Sequence, residues 1–162
     1  MLQAFTVEIL VDVRSIPYSR HNPQFCQGAL EDFLLRGNAV KYRYMKNLGG
    51  LRHAKKDSTN LGWHNTSFRG YADYMETEDF SLALAELIAL GRESRVAIMC
   101  AESVPWRCHR SLIGDALLAR EIAVMNIMSD RKASPHRMTK FACVDGDRIS
   151  YPKVETDDVS AQ

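Results

Sequence analysis

The apolar positions fall in short blocks whose spacing predicts alternating strands and helices. Val7 to Arg14 (VEILVDVR) is almost continuously apolar and β-branched up to its charged end, as expected of a strand covered on both faces. Pro17 and Pro23 interrupt the chain. Ala29 to Arg36 (ALEDFLLR) then carries apolar residues at helical spacing as far as the stop signal Gly37-Asn38. Ala39 to Met45 (AVKYRYM) alternates and reads as a second strand. Leu48 to Gly70 is rich in glycine and polar residues, has no sustained period and reads as a long loop. Helical spacing begins at Tyr71 to Met75 and is stronger from Asp79 to Leu90, where Phe80, Leu84, Leu87 and Ile88 share a face. Arg95 to Met99 reads as a buried strand ending at Cys100, His109 to Arg120 as an amphipathic helix, and Ile122 to Ile127 as a further strand. Asp145-Gly146 predicts a hairpin turn within Val144 to Pro152.

This order implies βαβ units and the α/β class, with three layers around a mostly parallel central sheet. In such sheets ligands sit beyond the carboxyl ends of the strands. Two polar segments, DVRSIPYSR and CAESVPWRCHR, follow strand ends of this kind. The length of 162 residues suits one domain, expected over 1–152, with 153–162 a frayed tail. With 46% hydrophobic and 25% charged residues, the composition excludes disordered, fibrous and coiled-coil classes. No apolar run approaches the roughly 18 residues of a membrane helix, and the start of the chain lacks the basic region of a signal peptide. A cytoplasmic protein with no membrane partner is expected.

The net charge of +1 hides an uneven distribution. Between Arg36 and Arg69 stand Lys41, Arg43, Lys46, Arg52, Lys55 and Lys56 against the single acid Asp57, a pattern that suits either a solvated loop or a nucleic-acid surface. Trp63 and Phe68 in that stretch could stack on bases; the preferred expectation is that they anchor the loop, which then covers the sheet edge as a lid.

The first polar segment offers Asp12, Arg14, Ser15, Ser19 and Arg20, a set able to hold a phosphate or carboxylate; the bland alternative is an Asp-Arg pair closing a strand end. The second offers Cys100, Glu102, Cys108, His109 and Arg110 at the entry to a helix, where amide groups attract anions and favour thiolates. Cys100, Glu102 and His109 are the catalytic candidates; Asp12, Arg14, Ser15, Ser19, Arg20, Cys108 and Arg110 are the ligand-binding ones. A phosphatase-type loop is disfavoured, because six residues separate Cys100 from Arg107 and Pro105-Trp106 replaces small residues. A metal site recruiting Cys100, Cys108 and His109, with Asp12 or Glu102, is disfavoured and no metal is expected, since Cys108 and His109 are adjacent and no CxxC pair is present. The cysteines are expected to be reduced thiols.

DVRSIPYSR, LGG at Leu48 to Gly50, FRGYADYM at Phe68 to Met75 and CAESVPWRCHR together resemble the DUF488 family, from about Val7 to Ile127. The resemblance implies the α/β fold and places the family's motif residues on Asp12, Arg14, Ser15, Pro17, Ser19, Arg20, Cys100, Glu102, Cys108, His109 and Arg110. It implies no reaction and no cofactor. Members usually open with a strand, a Gly-His-Ser turn and a helix, so this sequence is expected to lack the usual first strand. The leading expectation is a site for a phosphate-bearing ligand, a nucleotide or nucleic-acid end. The competing ones are a non-catalytic nucleic-acid module using residues 36–69 and a purely structural polar network.

Overall fold

The computed structural model describes residues 1–38 and 40–153. A parallel sheet of three strands lies at its centre in the order β2 (Lys41–Tyr44), β1 (Ile9–Asp12), β3 (Val96–Met99). Asp12 is level with Tyr44 on one side and Met99 on the other, so the three strands end in one plane. Side chains alternate across β1. Ile9, Val11 and Val13 pack with Tyr71 of α2 (Thr66–Met75), Phe80, Leu84 and Leu87 of α3 (Glu78–Glu93), and Leu112 and Ile113 of α4 (Arg110–Leu118). Leu10 packs on the opposite face with Leu30 and Leu34 of α1 (Gln27–Asn38). These layers account for the unbroken apolar run of β1, since both of its faces are covered.

Two of the helices, α2 and α3, start where side chains close their free amides. Asn65 accepts from the amides of Ser67 (2.9 Å) and Phe68 (3.3 Å), so α2 begins at Thr66 rather than at Tyr71 as the periodicity suggested. Thr77 caps α3 by accepting from Phe80 N at 3.3 Å, with Glu78 and Asp79 favourably placed in its first turn. Trp63 stacks on Phe68 with centroids 4.7 Å apart and meets Phe141 edge-on at 4.9 Å, so the end of the long loop is anchored into the main apolar cluster.

The predicted fourth strand departs from expectation. Only Met125–Ile127 is extended (β4), and it pairs antiparallel with Ala133–Pro135 (β5) instead of joining the parallel sheet. The chain leaves α4 through a left-handed turn at Glu121 (φ 59°), and the Val124 carbonyl is taken by His136 N at 2.8 Å, which directs this segment away from β3. Between β3 and β4 lies a cavity of about 820 Å³ lined by Leu87, Ile88, Val96, Ile98, Val124 and Met125, among others. The residues of β3 are accordingly half-buried, whereas those of β1 are fully buried.

The predicted hairpin forms as β6 (Cys143–Asp145) and β7 (Arg148–Ser150), with Gly146 at φ 57° in its turn. Beyond it, buried Tyr151 donates to Asp115 Oδ2 (3.0 Å), while Asp115 Oδ1 meets His136 Nε2 (2.9 Å) and accepts from Thr139 N (3.1 Å). This network ties the C-terminal segment to α4. The expected frayed tail lies, apart from Lys153, outside the described residues. No helix among the described residues is long and apolar enough to cross a membrane.

Candidate thiolate site

Because β1 and β3 end level, the two polar segments meet. His109, the N-cap of α4, places Nε2 3.1 Å from the carbonyl of Val13 just beyond β1. That carbonyl can only accept, so Nε2 carries a hydrogen, and Nδ1 faces Cys108 Sγ at 3.6 Å. The imidazole lies 5.0 Å from the Tyr71 ring, and the Gly50 backbone runs so close to it that a Cβ there would overlap the ring. Gly49 is similarly pressed against Ser15 and the Lys46 carbonyl, and Leu51 N donates to Ser15 Oγ at 3.0 Å. The LGG motif is thus a close backbone approach between the long loop and the site.

After β3 the chain folds back on itself. Glu102 N donates to Cys100 Sγ at 3.2 Å, Pro105 to Arg107 form a single 3-10 turn with Pro105 buried, and Cys108 lands beside Cys100. The two sulfurs are 2.7 Å apart, farther than the roughly 2.05 Å of a disulfide and closer than two sulfurs in ordinary contact. Arg110 supports Cys108 Sγ twice, from Nε (3.3 Å) and from its backbone N (3.5 Å), and its Nη2 donates to the Glu102 carbonyl, pinning the loop. The hydrogen bond from Cys100, aided by the Arg110 amide and opposed by burial, holds the Cys108 thiol below its ordinary range. The same hydrogen bond and burial raise Cys100. The two thiols therefore titrate as a pair, with Cys108 the sulfur favoured as thiolate and Cys100 the one favoured as thiol. Cys108 is 3% exposed and Cys100 half-buried, so reagents arrive at Cys100. Glu102, expected to act through its carboxylate, is exposed, and the contacts it makes in this site come from its main chain.

The end of β1 is a different environment. Asp12 is fully buried and Arg14 is 7% exposed; Arg14 Nε donates to both Asp12 oxygens (2.9 and 3.0 Å), Nη2 to Oδ2 (2.5 Å) and the backbone N to Oδ1 (3.0 Å). Tyr42 donates to the same carboxylate at 2.7 Å, a partner that the alternation of β2 placed on the right face but did not identify. The hydrogen bonds to Asp12 raise Arg14, and burial together with Asp12 pushes the Tyr42 phenol up. Of the remaining ligand candidates, Ser15 meets the Leu51 amide, Ser19 interacts with Cys26 and Asn22, and Arg20 lies exposed.

The basic segment is less free than its local sequence suggests. Arg36 pairs with Asp32, Arg43 with Glu86 (2.6 Å) and Lys55 with Glu76 (3.0 Å). Arg52 lies 3.6 Å above the Tyr74 ring, and Arg69 donates to the Trp63 carbonyl.

Among the described residues, Cys100, Cys108 and His109 form a group whose ligand atoms all lie within 4.8 Å of one another. No curated protein and no solved structure matches the chain. A family model does, over residues 1–117, and it is described as a domain of unknown function, DUF488. With the model covering well over half its length, the chain belongs to the DUF488 family.

Proposed function

We propose that Cys100 and Cys108 form a redox-active dithiol that exchanges with an incoming disulfide. The observation that carries this reading is the 2.7 Å contact between the two sulfurs, supported on the Cys108 side by Arg110 and His109. Cys100 is the sulfur a substrate can reach. As it attacks a substrate disulfide R–S–S–R′, its proton passes to the Cys108 sulfur and R′S⁻ leaves. Cys108 then gives up that proton, with His109 Nδ1 as the neighbouring acceptor, and attacks Cys100 Sγ. The Cys100–R bond breaks, RS⁻ leaves and takes up a proton, and the Cys100–Cys108 disulfide remains. Two electrons pass from the dithiol to the substrate disulfide.

Treating the reduced protein with a small aromatic disulfide tests this. Two thiols should be lost per chain with no adduct retained, and peptide mapping should find Cys100 joined to Cys108. In Cys108→Ser the adduct should remain on Cys100. A stable adduct on Cys100 of the unaltered protein would sink the reading.

The phosphate-ligand reading stands second. Arg20 is exposed and the α4 N-terminus is adjacent to the thiols, but Arg14 is committed to Asp12 and Arg110 to Cys108 and Glu102. Inorganic phosphate that slowed modification of Cys100 in a saturable manner would favour it.

A further inference from the structure

We propose that Cys100, Cys108 and His109 also form a three-ligand site for a thiophilic divalent cation of the Zn²⁺ type, with a fourth position open on the Cys100 side. Adjacency of Cys108 and His109 argued against a metal at the level of spacing alone. The backbone removes that objection. Cys108 is extended (φ −134°, ψ 147°) while His109 has turned into helical geometry (φ −54°, ψ −16°), so the chain bends between them and both side chains reach one spot. Tetrahedral zinc with Zn–S of about 2.3 Å and Zn–N of about 2.0 Å separates a sulfur and a nitrogen ligand by about 3.5 Å and two sulfurs by about 3.8 Å. The observed distance from Cys108 Sγ to His109 Nδ1 is 3.6 Å, already that of a coordination edge. The two sulfurs, at 2.7 Å, would have to part by about 1 Å, a small side-chain rotation of half-buried Cys100.

The surroundings suit coordination. The Val13 carbonyl accepts from Nε2 of His109, which leaves the Nδ1 lone pair directed at the site, the usual second-layer arrangement of a metal-bound histidine. Arg110 Nε donates to Cys108 Sγ and would steady a bound thiolate. Binding balances simply: the cation displaces the thiol protons of the pair, which go to solvent. Coordination and the Cys100–Cys108 disulfide use the same sulfur electrons, so each excludes the other. On the redox reading above, the metal keeps the dithiol reduced.

The test uses the full chain carrying Cys26→Ser and Cys143→Ser, so that only the two site thiols remain. Co²⁺ is added to the reduced protein, followed by Zn²⁺ in competition with a chromophoric chelator. One equivalent should bind, with intense thiolate-to-cobalt absorption and the visible bands of tetrahedral cobalt. Cys100→Ser, at a half-buried position that leaves the core intact, should weaken Zn²⁺ at least tenfold, and His109→Gln should alter the cobalt spectrum. Protein oxidised to the Cys100–Cys108 disulfide should bind none. Equal Zn²⁺ affinity in Cys100→Ser and the parent, or no withdrawal of Zn²⁺ from the chelator, would overturn the metal site. If Zn²⁺ binds but the metal-free protein forms no internal disulfide, the redox reading alone fails. If the disulfide forms and Zn²⁺ does not bind, the metal inference alone fails.

Discussion

The carboxyl ends of β1 and β3 lie side by side, yet they hold opposite kinds of chemistry. At the end of β1, a buried carboxylate receives hydrogen bonds from the Arg14 side chain, the Arg14 amide and the Tyr42 phenol, leaving its charge matched and enclosed. At the end of β3, two free thiols stand with their sulfurs 2.7 Å apart, and one of them remains half-buried. A saturated pair of this sort fixes structure, because neither partner can change state without stranding the other. A thiol pair not closed in this way can exchange a proton for a bond or a ligand. Similar topology therefore does not imply similar function, and the difference is decided by how many partners each group already has.

The sharpest way to break the comparison is at Asp12. Asp12→Ala should leave Arg14 buried without its counter-charge and cost about 3–5 kcal/mol of stability, measured by chemical denaturation. A loss below about 1 kcal/mol would mean that the pair is not structural. Next comes Gly50→Ala, whose methyl group would press on the His109 ring. It should cost about 1–3 kcal/mol and also change the rate of Cys100 modification; a change in neither would uncouple the loop from the thiols. Tyr42→Phe removes one of several hydrogen bonds to Asp12 and should cost about 1 kcal/mol. Cys100→Ser should change stability by less than about 1 kcal/mol while abolishing internal disulfide formation, the reverse of the Asp12 result. The smallest effect is expected at Arg43→Ala, where the exposed pair with Glu86 contributes about 0.2–1 kcal/mol at most.

Much of this arrangement was readable along the chain. The run at Val7 to Arg14 marked the central strand because a strand covered on both faces has no polar alternation to interrupt it. The meeting of the two polar segments followed from placing both at strand ends. The bland reading of Asp12 and Arg14 as a closed pair accounts for their geometry, and the choice between it and anion binding depended on Tyr42, some thirty positions away in the chain. Ile122 to Ile127 was legible as extended but not as to its partner, since pairing depends on where the Val124 carbonyl finds a donor. The charge run was legible only in part: three of its cations pair with Asp32, Glu76 and Glu86, which lie outside it in sequence, on helices or at a helix end that folds back against it. Sulfurs eight residues apart gave no spacing signal, because their contact depends on the 3-10 turn and on the Arg110 side chain between Cys108 and the Glu102 carbonyl.

The open side of β3 has a consequence for the protein in concentrated solution. Val96 to Met99 is a short apolar strand without proline or charge, at the border of the sheet beside a cavity. Such a border is a template for intermolecular pairing, and natural sequences guard it with charges. Arg92, Glu93 and Arg95 stand at its entrance. Self-association should therefore be governed by these three residues, and neutralising them should lower the concentration at which light scattering rises, even though none of them touches the thiols.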